Sequence, residues 1–175
     1  MPVDIEQYVD QLRGEMDDSA FKASDALARI GTEEVVDSMI ELLQHPYAES
    51  RIIAARTLGL TKNNAKALQP LIDAVKDSNN KEIAGDLLMA LEGFDMSDLY
   101  VELFRLYLNG TFKVSTVAKG FLDFEEFDIS ARTIKKAEKH WNHYVHNTKH
   151  DDAFELKKAE VDEMFADLKS FLDQD

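Results

Sequence analysis

Apolar residues return along this chain in two nested rhythms. Within short segments they fall three and four positions apart, the spacing that lines one face of an α-helix. Across longer distances whole sets of them come back. Ala23 returns as Ala54 and Leu27 as Leu58 after 31 positions. Val36 returns as Leu68, Met39 as Leu71, Ile40 as Ile72 and Leu43 as Val75 after 32. Each copy is an apolar helix-period segment, a short polar break and a second such segment.

Taken in order, the pattern predicts a first helix over about Asp4–Glu15, with Ile5, Tyr8, Val9 and Leu12 on one face. Asp17 or Asp18 is placed to N-cap a second helix carrying Ala20, Phe21, Ala23, Ala26, Leu27 and Ile30, and Gly31 to end it. Thr32 caps Glu33–Gln44, whose core face is Val36, Met39, Ile40 and Leu43. Pro46 breaks the chain, and the next helix starts near Ala48 and runs through Ile52, Ala55 and Leu58. Asn64 is expected to N-cap Ala65–Lys76, with Leu68, Leu71, Ile72 and Val75 inward and Pro70 bending the helix or costing it one hydrogen bond. A third unit pairs Lys81–Glu92 with Ser97–Asn109. A fourth begins at Lys113, its second helix about Ser130–His146 with Ile134, Ala137 and Trp141 at helical spacing. A last helix over Asp152–Leu172 carries Phe154, Leu156, Val161, Phe165, Leu168 and Phe171. Nowhere is there the sustained alternation of Val, Ile and Thr that marks a strand.

Helix pairs of this length cannot bury their apolar faces alone; stacked, they share one continuous core, and the end units differ to close it. The expectation is an all-α chain forming one α-solenoid domain over 1–175. Its repeats would be 19–47, 48–80, 81–112 and 113–148, with cap helices within 1–18 and 151–175. An irregular helical bundle is the alternative. The stretch Ala54–Glu82, AARTLGLTKNNAKALQPLIDAVKDSNNKE, resembles a HEAT repeat of the short kind also found in phycobilisome lyases. The likeness lies in its Ala-x-x-Leu-Gly helix end, polar turn, early Pro in the second helix and Leu-Ile-x-x-Val-x-Asp ending. Asp25–Pro46 is similar, with Gly31 in the turn but no Pro. The resemblance implies a right-handed solenoid whose second helices line a concave surface. It extends at the level of fold to the HEAT-like alkylpurine DNA glycosylases. The Trp/Gly/Tyr pattern of tetratricopeptide repeats, nearer ~34 residues long, is missing.

Composition narrows the chemistry. The chain has 175 residues and no Cys, so there is no disulfide framework, thiolate metal site or Cys nucleophile. Its 34 acidic and 20 basic residues give a net charge of −14. The start Met-Pro-Val-Asp-Ile-Glu lacks a signal-peptide pattern, and no apolar run is long enough to span a membrane. The expectation is a cytoplasmic protein with no cofactor and no affinity for membranes.

Three groups are candidates for function. His140, His143 and His146 follow one another at three-residue steps on one helix. Their imidazoles suit Zn²⁺ or Ni²⁺, but no His-Glu-x-x-His motif accompanies them, and a solvated helix face is the plainer reading. A basic island, 130–150, holds Arg132, Lys135, Lys136, Lys139 and Lys149 against Glu138, for a net +4 beside −12 in 1–129 and −6 in 151–175. It is expected to dock on its acidic neighbours, 122–128 and 151–175, rather than on nucleic acid. Adjacent carboxylates such as Glu33–Glu34 point to different helix faces and are not acid/base dyads.

The third group is the ridge of non-core positions on the second helices. Alignment puts Glu34, Lys66 and Asp98 in one row, Asp37 and Gln69 in another, and Glu41, Asp73 and Arg105 in a third, with Glu102 nearby. This ridge is the candidate contact surface of a non-enzymatic binding module for a basic protein partner. Two alternatives share the architecture. One is an inhibitor, an immunity-type decoy for a basic protein such as a nuclease. The other is an enzyme, a DNA glycosylase or bilin lyase by resemblance. The acidic ridge and the absence of any bilin motif argue against the enzymes.

Overall fold

The computed structural model describes residues 3–174; the first two residues of the expected N-terminal cap and the last of the C-terminal one lie outside them. Every described element is helical: α1 Ile5–Gln11, α2 Asp18–Ile30, α3 Glu33–Leu42, α4 Ala48–Leu60, α5 Leu68–Lys76, α6 Ala84–Met89, α7 Tyr100–Asn109, α8 Phe112–Phe124, α9 Ala131–Asn147 and α10 Asp152–Leu172. Short 3-10 turns at Ala65–Ala67, Ser78–Asn80 and Ala90–Gly93 complete the set. The chain gathers into two compact units, Met1–Asp95 and Met96–Asp175.

The first unit shows why the repeats return every 31–32 positions. The first helices α2, α4 and α6 pack in succession on one another, and α3 and α5 form the second layer. Asp17 and Thr32 accept the Ala20 and Val35 amide protons at the starts of α2 and α3, and Gly31 ends α2 in the left-handed region at φ 58°. Leu27, Met39, Leu43, Leu58 and Leu71 are fully buried between the layers. Each such side chain contributes about 1.5–3 kcal/mol by leaving water. In α4 the inward residue is Ile53, with Ile52 only half-buried, because the buried arc also takes in Ala54 and Thr57. Phe21 stands exposed under the Arg56 guanidinium, 5.2 Å from its ring centre, and Leu68 is half-buried.

Two expectations about the turn before α5 change. Asn64 makes no cap; its buried amide donates to the carbonyls of Leu58 and Gly93, at 2.8 and 3.1 Å. Pro70 costs α5 no hydrogen bond. The helix starts at Leu68 after a 3-10 turn, so Pro70 occupies the first turn, where an amide proton has no partner in the helix in any case. The segment expected as one helix over Lys81–Glu92 is shorter, α6 followed by a 3-10 turn, because α4 and that turn touch backbone to backbone. A Cβ on Gly93 would stand 1.6 Å from the Gly59 carbonyl oxygen, and one on Gly59 would stand 2.6 Å from that of Ala90.

In the second unit α7 packs on α8 and α9, and α9 on α10. Phe104 is its fully buried centre, with ring centroids of Phe165, Tyr107 and Tyr100 at 5.5, 6.1 and 6.4 Å. Ser130 caps α9 in a reciprocal capping box with Thr133. Trp141 stacks on Phe154 at 5.9 Å and joins α9 to α10. Helix α10 has the expected bounds, but only Phe154, Val161 and Phe165 of its stripe are buried, while Leu156 and Phe171 face solvent.

Candidate functional site

The ridge of second helices in the first unit is built by α3 and the segment from Ala65 to Lys76. Its apolar sides face inward, so Glu34, Asp37, Glu41, Lys66, Gln69 and Asp73 are left outward and exposed. Lys66 spans the two helices. Its Nζ lies 2.5 Å from Asp37 Oδ1 and 2.9 Å from Glu33 Oε1, so it reaches the flanks of Glu34 rather than Glu34 itself. Hydrogen bonds to Asp37 and then Glu33 hold the Lys66 ammonium above its ordinary range. Gln69 Nε2 donates to Asp73 Oδ1 at 2.8 Å. Lys66 is thus already engaged by two carboxylates, and Glu34, Glu41 and Asp73 outnumber the remaining exposed cation, Lys76 at the end of α5, in a mainly acidic surface.

The remaining ridge positions belong to the second unit. Glu102 and Arg105 pair along α7 at 3.6 Å. Asp98 lies before α7 in a shallow cleft with Asp128 and with Ser130, Arg132 and Lys136 at the start of α9.

Two clefts have no counterpart in the sequence pattern. In the first unit, Ile52, Leu60 and Met89 line about 400 Å³ between α4 and α6, over the crossing of Gly59 and Gly93. In the second, about 580 Å³ opens between α8 and α10, with Tyr107 beneath and Phe112 and Leu156 exposed at its edge. Here the Tyr107 hydroxyl donates to Glu160 Oε2 at 2.5 Å, and Lys157 Nζ donates to the Tyr107 carbonyl oxygen at 3.0 Å, 4.4 Å above the same ring. Burial lowers the Lys157 ammonium from its ordinary range against the pull of Glu160. Burial, then the bond to Glu160, pushes the Tyr107 phenol far up. The phenol therefore stays protonated as a donor to Glu160, and the Lys157 amine is held over its ring, partly withdrawn from water. One signal for it existed in the sequence: Lys157 falls on the apolar stripe Phe154, Val161 and Phe165, where a cation must find partners inside.

The histidines diverge. His140 is half-buried and its imidazolium disfavoured, first by burial and then by Arg105. His143 is exposed beside Asn147, and His146 Nδ1 lies 2.6 Å from the Asn142 carbonyl oxygen of its own helix. His150 stacks on Phe154 at 3.9 Å. Among the described residues no three His, Asp or Glu side chains come together where an ion would bind. The basic island also departs from expectation. The ion pair joining α9 to α10 has the opposite sense, Glu138 to Lys169 at 2.8 Å. Arg132, Lys135, Lys136 and Lys139 face solvent with no carboxylate at ion-pair distance among the described residues, because the face of α9 turned to α10 is its apolar one. No described helix is long and apolar enough to cross a membrane.

A family model described as HEAT repeats matches residues 5–92 of the chain. Among curated proteins none matches it.

Proposed function

Because the chain belongs to the HEAT-repeat family, whose repeats generally mediate protein–protein contacts, we propose that it is a non-enzymatic docking module for a basic protein. The acidic second-helix ridge of the first unit would receive the partner's Lys/Arg-rich surface. The observation that carries this reading is the state of Lys66. The ridge exposes Glu33, Glu34, Asp37, Glu41 and Asp73 against Lys66 and Lys76, and Lys66 is held by two of the five, so carboxylates dominate what a partner meets. Such a surface repels phosphate backbones and steers cationic ones, with a reach of ~8 Å near physiological salt.

The test is the association rate of a Lys/Arg-rich helical peptide measured by stopped flow at low and physiological salt. Glu41→Lys with Asp73→Lys should slow association at least about ten-fold at low salt and leave the helical circular dichroism unchanged. Association indifferent both to salt and to the double substitution sinks the proposal. Micromolar affinity for duplex DNA at physiological salt would bring the glycosylase-like reading forward instead.

A further inference from the structure

Helix α9 has one face too many for a helix whose only task is to fill a core. Ile134, Ala137 and Trp141 satisfy its inward side. The outward side carries Arg132, Lys136, Lys139, His143 and His146 at steps of four, three, four and three residues, all exposed, with Lys135 alongside. Steps of this kind keep a row on one face, and at 1.5 Å per residue the row is about 21 Å long. None of its Lys or Arg side chains has a carboxylate at ion-pair distance among the described residues, although the chain as a whole carries −14. The four Lys and Arg charges of this face, Lys135 included, repel each other at a cost that no ion pair among the described residues offsets.

We infer that the outward face of α9 is a second docking surface, and that its occupant is an acidic α-helix of a partner protein. Charge complementarity selects the sign. Spacing selects the form, since Glu or Asp side chains at the same four-and-three steps of a facing helix meet the cations at matching rises. The exposed face holds no aromatic side chain on which bases stack, because Trp141 is buried against Phe154. It holds no Trp, Phe or Leu to enter a lipid interface. A short acidic helix interacts mainly with charges within a Debye length of ~10 Å, where the local segment is positive, whereas a long polyanion also meets the acidic remainder. This surface shares no residue with the acidic ridge of the first unit, so either proposal can fail while the other stands.

The experiment uses the full chain and a fluorescently labelled helical peptide with Glu at four-and-three spacing, read by anisotropy. A permuted peptide of the same composition, a single-stranded RNA oligomer, duplex DNA and phosphatidylserine vesicles serve as comparison probes. The spaced peptide should bind saturably at 50 mM NaCl, about ten-fold or more weaker at 300 mM, and more tightly than the permuted peptide. Lys136→Glu with Lys139→Glu should abolish this. Lys22→Glu with Lys81→Glu changes the net charge equally at exposed positions of the first unit and should leave binding within about two-fold. Absence of saturable binding overturns the inference, as does equal loss in both double variants. Tighter capture of RNA, DNA or vesicles through Lys136 and Lys139 also overturns it, in favour of that polyanion or lipid surface.

Discussion

Single residues in this chain are decided by what stands within a few ångströms, and two glycines show it. At Gly93 any β-carbon would overlap the Gly59 carbonyl oxygen, a backbone atom that cannot turn aside, so Gly93→Ala must push α4 and the 3-10 turn apart. It should cost about 3 kcal/mol or more in urea unfolding, or prevent folding. At Gly120, inside α8, a β-carbon meets nothing within 4 Å, and Gly120→Ala should stabilise by about 0.5–1 kcal/mol. Similar losses from the two substitutions would mean that the close approach is absent in solution. Lys157 provides a pH signature. Its ammonium is lowered from the ordinary 10.5 by burial, so over the interval between the lowered value and 10.5 the unfolded chain binds more protons than the folded one. Stability therefore rises with pH there. Tyr107 and Tyr100 are shifted the other way and oppose this only once pH passes their unfolded value of 10.0. Lys157→Met should flatten that rise in denaturation curves from pH 8 to 10; an unchanged slope would place the amine in water.

At the scale of elements, the contact between α2 and α4 rests on a directed chain of hydrogen bonds under the apolar layer. Arg56 Nη1 donates to Ser24 Oγ at 2.6 Å, and Thr57 Oγ1 donates to the Ile53 carbonyl at 2.7 Å. The 2.8 Å contact between the two hydroxyls therefore runs from Ser24 to Thr57, the one direction in which every proton has an acceptor. Both hydroxyls are fully buried. Thr57→Val leaves the Ser24 proton unpaired and should cost about 1–3 kcal/mol. Adding Ser24→Ala to it should cost less than the two single losses together, and strict additivity would disprove the link. How legible such elements are in the sequence depends on the range of the forces that set them. Caps act over three residues, so Asp17, Thr32 and Gly31 could be read from their own neighbourhoods. The core positions Leu27, Met39, Leu58 and Leu71 follow from period alone. Gly59 and Gly93 could not be read that way, because each is fixed by backbone about thirty residues away, and the Asn64 amide is drawn to Gly93 as well as to Leu58. The cleft of Tyr107, Lys157 and Glu160 joins elements fifty residues apart and left only one local trace, a lysine on an apolar stripe. The basic island was legible as composition but not as geometry. Which face of α9 meets α10 was settled by Trp141 on Phe154 rather than by charge.

For the whole molecule the governing quantity is charge, and it acts with opposite sign on folding and on binding. The chain carries 34 acidic against 20 basic residues, and its ion pairs among the described residues include exposed ones such as Lys66–Asp37 and Lys158–Asp162. Exposed pairs contribute little and are themselves weakened by salt, whereas the surplus of carboxylates repels over the whole surface. Screening relieves the repulsion more than it removes the attraction. The thermal midpoint, followed by circular dichroism at neutral pH, should therefore rise between 10 and about 300 mM NaCl. Over the same range association at the acidic ridge should slow, because there the screened interaction is the attractive one. Sodium chloride near these concentrations changes apolar burial little, so the two trends isolate electrostatics. A thermal midpoint that falls with salt would show that networks such as Lys66 with Glu33 and Asp37 outweigh the net charge. Glu33→Gln with Asp37→Asn would then destabilise the chain; under the repulsive balance argued here, removing those two negative charges leaves its stability unchanged or raises it.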